Sequence, residues 1–468
     1  MKNTHKQDLL TATLGVWLAV GVISLRAADA PATPPADLKS NETAAATSAH
    51  AADLLPTPDY SGDFLKRSTL TGDWGGLRNK LAKKGITFDL NLTQVGQGVV
   101  DGGKQSGWEY GGRGDLTFAV DTGKLGLWPG GFLTTELEQS YGHGVNLKNG
   151  GLMPVNSSQI YPIPGQDEFA VPAVNFTQFL SEYGGVTFGK FETVSGGDKN
   201  EFAHGDGKGG SQFMNLALNL NPTLMVAVPY STLGAGVVIL PNKDPNAAII
   251  SLLAVSSTGQ ANTTGFDDLS SDNVTFCAEG RVRTDFFGKT GHQLLGALYS
   301  NREFTSTDQR LTLLPNTRTL ETKEGSWAVY YNFDQFLYEP VKGSGKGLGI
   351  FGRFGTADGN PNFMQYFYSF GVGGKGLMAC RPNDSFGIGW YYININNPEL
   401  KTPIGNKRFL QDEQGVEAYY NLALTPWAIL SPDIQVVRGA QKQTLALPAN
   451  SKSIDTAVVM GLRMRLNF

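Results

Sequence analysis

From Val458 to Phe468 the chain alternates without a break. Val458, Met460, Leu462, Met464, Leu466 and Phe468 fall on one parity, and Ala457, Val459, Gly461, Arg463, Arg465 and Asn467 on the other. Successive strand side chains point to opposite faces, so this segment has one wholly apolar face and one that bears two arginines. One side meets something oily and the other meets water. A soluble sandwich produces the same pattern. A chain that stops on its apolar face with no polar tail reads better as the closing strand of a transmembrane barrel, greasy outside and polar within.

Segments of the same character recur at Ile86 to Val99, Gly112 to Asp121, Phe132 to Tyr141, Val274 to Phe286, Leu348 to Gly355, Met364 to Val372, Phe386 to Ile393, Val416 to Leu424 and Ile434 to Val437. Gly, Pro, Asn or Asp clusters bound them, as turns bound strands. At about ten residues per spanning strand plus connections, the roughly four hundred residues after Gly85 hold some sixteen to eighteen strands. A barrel that wide keeps an aqueous channel. The fold class is therefore all-β, an antiparallel up-and-down transmembrane barrel. Long polar insertions interrupt it at Gly142 to Gln166, Ser195 to Gly210, Ser256 to Asn273 and Glu303 to Glu324. Each is expected on the exterior side, either folding inward to narrow the pore or staying solvated without a gating role.

Parity also sorts the charges. Arg113, Asp115, Thr117 and Asp121 oppose Leu116, Phe118 and Val120, while Glu136 and Glu138 oppose Leu133 and Leu137. Arg353 is set apart from the face of Ile350, although Phe351 travels with it. With Arg463 and Arg465, these are the pore-lining candidates. They either offer hydrogen bonds to a hydroxyl-rich solute as it sheds water, or pair with one another and hold the wall rigid.

Ahead of the strands the period changes. Lys2 and Lys6, the mostly apolar stretch Leu9 to Leu25 and the small-x-small site Ala28-Asp29-Ala30 read as an export signal over residues 1–30, with a membrane anchor as the alternative. Residues 31–68 form a Pro/Ala-rich tether that cannot bury enough apolar surface to offset the entropy of ordering. In 69–85, Trp74, Leu77 and Leu81 share a helical face, Arg78, Lys80, Lys83 and Lys84 point mostly away, Asp73 is placed to cap the start and Gly85 to close the end. That is one short amphipathic helix that must dock on something larger. Residues 86–468 are the barrel.

Composition fits this outline. Charged residues make up 17%, against about 25% in soluble domains, while Gly reaches 59, Phe 26 and Tyr 16. The mean hydropathy is slightly polar, which excludes a bundle of membrane helices and suits a barrel that hides half its side chains in a wet lumen. A scattered net charge of -4 gives no reason to expect nucleic acid. No second apolar run is long enough for a spanning helix, the nearest being the broken stretch Ala247 to Val255. Cys277 and Cys380 are distant in sequence, and spacing does not say whether they join.

Enzyme chemistry finds little support. His5 and His50 precede the barrel, and His143, His204 and His292 stand in no metal-ligand spacing. There is no nucleophile elbow, phosphate loop or HExxH. A Ser–His pair assembled in space stays open as an alternative, since it leaves no local signature. Neither a metal nor a cofactor is expected.

Several stretches together resemble the carbohydrate-selective porins of the OprB type. The first is Leu70-Thr71-Gly72-Asp73-Trp74-Gly75-Gly76-Leu77-Arg78 with Leu81, Gly85 and Ile86, similar to that family's amino-terminal box. The second is Arg381-Pro382-Asn383-Asp384 with Gly387; the third is Glu417-Ala418-Tyr419-Tyr420, then Trp427 and Pro432-Asp433-Ile434-Gln435, closing on Phe468. The chain departs from the family pattern after Gln435, with Arg438-Gly439-Ala440. The resemblance implies a sixteen-stranded outer-membrane barrel and passive diffusion of sugars such as glucose, with no cofactor. The partners it implies are small carbohydrate solutes, outer-membrane lipid and the outer-membrane assembly machinery, which reads the C-terminal strand. A homo-oligomer stays open. The alternatives are a general or anion-preferring pore and a barrel closed by its own loops. The short segment before Ile86 cannot supply a plug domain, which argues against energy-coupled transport.

Overall fold

A computed structural model of the chain describes residues 57–162, 168–267, 272–310, 320–396, 399–402, 405–408, 410–443 and 452–468. The export signal read at 1–30 and the tether through residue 56 lie outside them. Among the described residues, sixteen strands close into one antiparallel barrel, in which each strand pairs with its chain neighbours. The first, Ile86–Gly103, meets the last, Asp455–Asn467, with Thr93 opposite Arg465 and Val95 opposite Arg463. Closure leaves no unpaired edge, as a hydrocarbon environment requires.

Period two decides the two surfaces. On the closing strand Met460 and Leu462 are exposed outward, while Val459, Arg463 and Arg465 are buried inward. The outer surface continues with Phe188, Val237, Leu252, Phe276, Leu295, Phe370, Ile388 and Val436, all exposed. Tyr299 and Trp327 sit side by side across adjacent strands near one rim, where an amphipathic ring fits the level of lipid headgroups. The broken stretch at Ala247 is itself a strand, Ala248–Ser256. Its apolar run is continuous because Leu253 and Val255, facing inward, meet Met225 and Ala227 in a buried cluster instead of water.

The two ends of the barrel differ. At the end holding Ile86 and Phe468 the connections are short, such as Glu182–Tyr183 and Pro426–Trp427. Long connections, whose described parts include residues 143–162, 193–230 and 257–267, gather at the other, exterior end. A three-stranded sheet of Gln309–Arg310, Glu399–Thr402 and Gly405–Arg408 belongs to these long loops.

The amino-terminal helix is shorter than its sequence period implies, spanning Leu77–Lys83 rather than 69–85. Trp74, Gly75 and Gly76 have φ of 54°, 68° and 91°. Left-handed residues cannot propagate a right-handed helix, so it starts after them, without a side-chain cap from Asp73. Its docked face is also different: Arg78 and Ala82 are buried, whereas Trp74 and Leu77 are exposed. Arg78 turns inward because its partners are there. Its guanidinium lies 3.7 Å from the Tyr60 ring centroid and donates to Asp89 at 3.2 Å and to the Phe468 carbonyl at 3.0 Å. With Leu70 N–H donating to Asn467 O at 2.7 Å, the segment clamps the seam between first and last strands.

Candidate functional site

Register creates an electrostatic problem on the inner wall. Between strands Gly107–Asp121 and Gly131–Gly142, Asp115 lies directly opposite Glu138, and Thr117 opposite Glu136. Carboxylates that close repel. The answer comes from the long loop that connects strands Gly184–Glu192 and Ser231–Ile239 and folds into the barrel. Lys208 on this loop places its ammonium 2.6 Å from Glu136, in contact with Glu138, 3.6 Å from Glu192 and 4.0 Å from Asp115. Burial opposes the charge, but the surrounding carboxylates hold the lysine well above its ordinary pKa. Arg113 donates to Asp115 at 2.8 Å, and Arg465 reaches Asp206 of the loop at 3.5 Å. Asp115, Glu136 and Glu138 converge closely enough to ligate a cation, and the ammonium of Lys208 already stands among them.

The opposite flank of the loop is pinned differently. Arg353 donates to Asp198 Oδ2 at 2.8 Å and to the carbonyls of Leu218 and Asn219 at 3.1 Å each. Asn332, opposite Arg353 in register, donates to Asp198 Oδ1 at 2.8 Å. Phe351 shares the arginine's face because it packs against Phe213 of the loop, centroids 5.6 Å apart, which explains the mixed parity of this strand. On the closing strands Arg463 donates to Gly209 O at 2.6 Å and Gln212 O at 2.8 Å, while Glu417 accepts from the backbone N–H groups of Met214 and Asn215. The loop after Gly142 folds inward as well: Glu413 accepts from Leu152 and Met153, and Gln435 donates to Val155 O at 2.8 Å.

All seven candidates, Arg113, Asp115, Glu136, Glu138, Arg353, Arg463 and Arg465, project inward, and the folded-in loop covers all but Glu136, which keeps partial exposure. The structure brings the first four together around Lys208 and leaves Arg353 on the far side. Lys208, Glu192, Asp198 and Asp206 escape a sequence reading. Three of them belong to irregular backbone that has no period to read, and Glu192 ends its strand.

Other motif residues are structural. Arg381 and Asp384 form a two-point ion pair at 2.8 and 2.9 Å, which Tyr420 and the Ala423 N–H join, tying a turn at the terminus-bearing end to the strand Glu413–Thr425. Gln435 also donates to Asp433 at 3.0 Å and accepts from Asn215 at 3.1 Å. Cys277 is buried, Cys380 is exposed, and the two are not joined. His204 lies buried between the carbonyls of Ser195 and Asn219, and His292 contacts Asp334 at 2.7 Å. Among the described residues, none of the histidines hydrogen-bonds a serine or cysteine side chain.

Comparison with known proteins agrees with this geometry. The profile described as carbohydrate-selective porin, OprB family, matches residues 105–468. The chain is 24% identical over 441 residues to a protein named putative porin QuiX from Acinetobacter baylyi, covering 86% of this chain and 93% of that one. Porin B of Pseudomonas aeruginosa is 25% identical over 161 residues, 31% of this chain and 33% of its own. Among solved structures, the high-pH form of Pseudomonas putida OprB superposes with a TM-score of 0.72 at 20% identity, covering 87% of this chain and all of that one, and the low-pH form with 0.51 at 18%.

Proposed function

Because this chain belongs to the carbohydrate-selective porin, OprB family, a channel family rather than an enzyme family, we propose that it lets small carbohydrates such as glucose run down their gradient across the outer membrane into the periplasm. No covalent step and no energy coupling is involved. The observation that carries this reading is the loop at residues 193–230, folded into a closed barrel and fixed to the wall by buried charge pairs. A loop held so firmly sets a fixed aperture, and polar groups beside it replace the water that a hydroxyl-rich solute sheds on entry. Export by a leader cleaved after Ala30 and handling of the closing strand by the assembly machinery belong to the same proposal.

The test is a liposome swelling series with sugars of rising size. Monosaccharides should enter readily and the rate should fall steeply with size; vesicles that swell in no sugar overturn the reading. Arg113→Ala should change single-channel conductance or ion preference in planar bilayers, and unchanged currents remove Arg113 from the aperture. A general or anion-preferring pore is the second reading. It is favoured by Lys199 of the inward loop and Arg281 of the wall, two neighbouring cations without an ion pair among the described residues, and conductance with and without added sugar separates the two readings.

A further inference from the structure

The arginines already described are engaged: Arg113, Arg353, Arg463 and Arg465 each hold a carboxylate or a carbonyl. Arg281 does not. It lies on the strand Val274–Thr284 with the inward parity of Cys277 and Glu279, opposite the outward, exposed Phe276 and Val282. Among the described residues its guanidinium has no hydrogen-bond or ion-pair partner; its Nε is buried and unmatched, while the residue as a whole keeps partial exposure. Facing it from the inward loop is Lys199, whose side chain also lacks a hydrogen bond or ion pair among the described residues. The two charges reach one another: burial and the Arg281 guanidinium push the lysine down to about 8.

The placement is not accidental slack. Asp198 and Asn200, on either side of Lys199, are locked to Arg353 and Asn332, and the Lys199 carbonyl accepts from Asn332 at 3.1 Å. The backbone that carries this half-buried lysine is therefore fixed on both sides. Glu279, on the same strand and face as Arg281, accepts from the Tyr330 hydroxyl at 2.6 Å and the Asp198 N–H at 2.9 Å. Glu279 and Glu201 act on Arg281 through space, and Glu279 on Lys199 as well, but neither carboxylate forms an ion pair with either cation among the described residues, so both cations remain able to receive an anion that reaches them together.

We propose that Lys199 and Arg281 form an anion subsite in the channel that takes the carboxylate of a small acidic sugar. The inference rests on the pore reading above and refines its substrate class. A planar carboxylate matches the donor fork of Arg281 while Lys199 supplies a second charge. Glu201, partly exposed on the same loop, offers an acceptor for the hydroxyls of the ring. A solute with both features uses the whole site, and a bare inorganic anion uses only half of it.

The test compares glucose, glucuronate and chloride on wild type and on the double variant Lys199→Gln/Arg281→Gln, with heat-modifiable gel mobility checking that both fold. Wild-type vesicles should admit glucuronate at least as fast as glucose. In the double variant the glucuronate-to-glucose rate ratio should fall about tenfold while glucose entry persists. An unchanged ratio overturns the subsite and leaves the pore standing. A loss of chloride preference without any change in the glucuronate ratio also overturns it, reducing the pair to a general field effect. If wild type admits neither sugar, the pore reading fails, and the subsite is judged by calorimetric titration of glucuronate into detergent-purified protein. There, weaker binding by the double variant supports the subsite and equal heats overturn it.

Discussion

Lys208 and Lys199 ride on the same inward loop and meet opposite fates. Lys208 enters a knot of carboxylates that strand register had forced together, and becomes their shared counterion. Lys199 emerges on the other flank beside a second cation, feels Glu279 only through space and forms no ion pair among the described residues. One flank is saturated and structural; the other is held by Asp198 and Arg353 but leaves charge unspent. Buried ion pairs on a wall therefore report how a loop is fixed, and the unpaired group reports where a solute is expected to bind.

The comparison is broken most severely by removing Lys208. Lys208→Met leaves Glu136, Glu138 and Glu192 around an apolar side chain, Asp115 keeping Arg113, and should cost about 3–5 kcal/mol, read as a lower heat-modification temperature and noisier single-channel currents. Glu138→Gln in the same chain should recover part of that loss. On the other flank, Arg353→Met leaves Asp198 with its bonds from Asn332 and Asn221 only, and should cost about 2–4 kcal/mol by the same assay. A smaller effect comes from pH. Lys199 has its pKa depressed from 10.5 to about 8, so with the loop seated it gives up its proton before a detached loop does. Seating is thus penalised below about pH 8, and the penalty is relieved as pH rises from there towards 10.5. Anion-over-cation preference, read from reversal potentials, should fall between pH 7 and 9, while Lys208, raised rather than lowered, keeps its charge and the loop stays in place. The smallest change is Lys199→Gln, which should leave the heat-modification temperature unchanged or raise stability by at most about 1 kcal/mol. A large destabilisation there would mean that the two lysines are alike after all.

The wall was legible in the sequence because a strand beside lipid obeys period two. The faces of the closing strand and of the strand holding Arg113 and Asp115 follow from parity alone, and sixteen strands lie within the number that chain length allows. Parity fails where the interior is not water: Phe351 and the run ending in Val255 face inward and stay apolar because the loop covers them. The inward-folded loop was legible only as a place, the insertion at Ser195, since Lys208 and Asp198 occupy irregular backbone. Its partners lie on strands far away in the chain, at spacings that no local rule links. At the amino end, helical period misled, because three left-handed residues delay the helix and the stacked Tyr60 ring makes an arginine the inward residue.

The grips of Arg463 on Gly209 and Gln212 reach across 254 and 251 residues of chain. Glu417 grips the same loop from 203 and 202 residues away. Each needs the final strands of the chain beside the loop, and contacts of such range are expected late. A nascent barrel consequently has staves before it has a throat. Its loop stays untethered on that side through most of insertion, and only completion of the cylinder turns a leaky hole into a calibrated one.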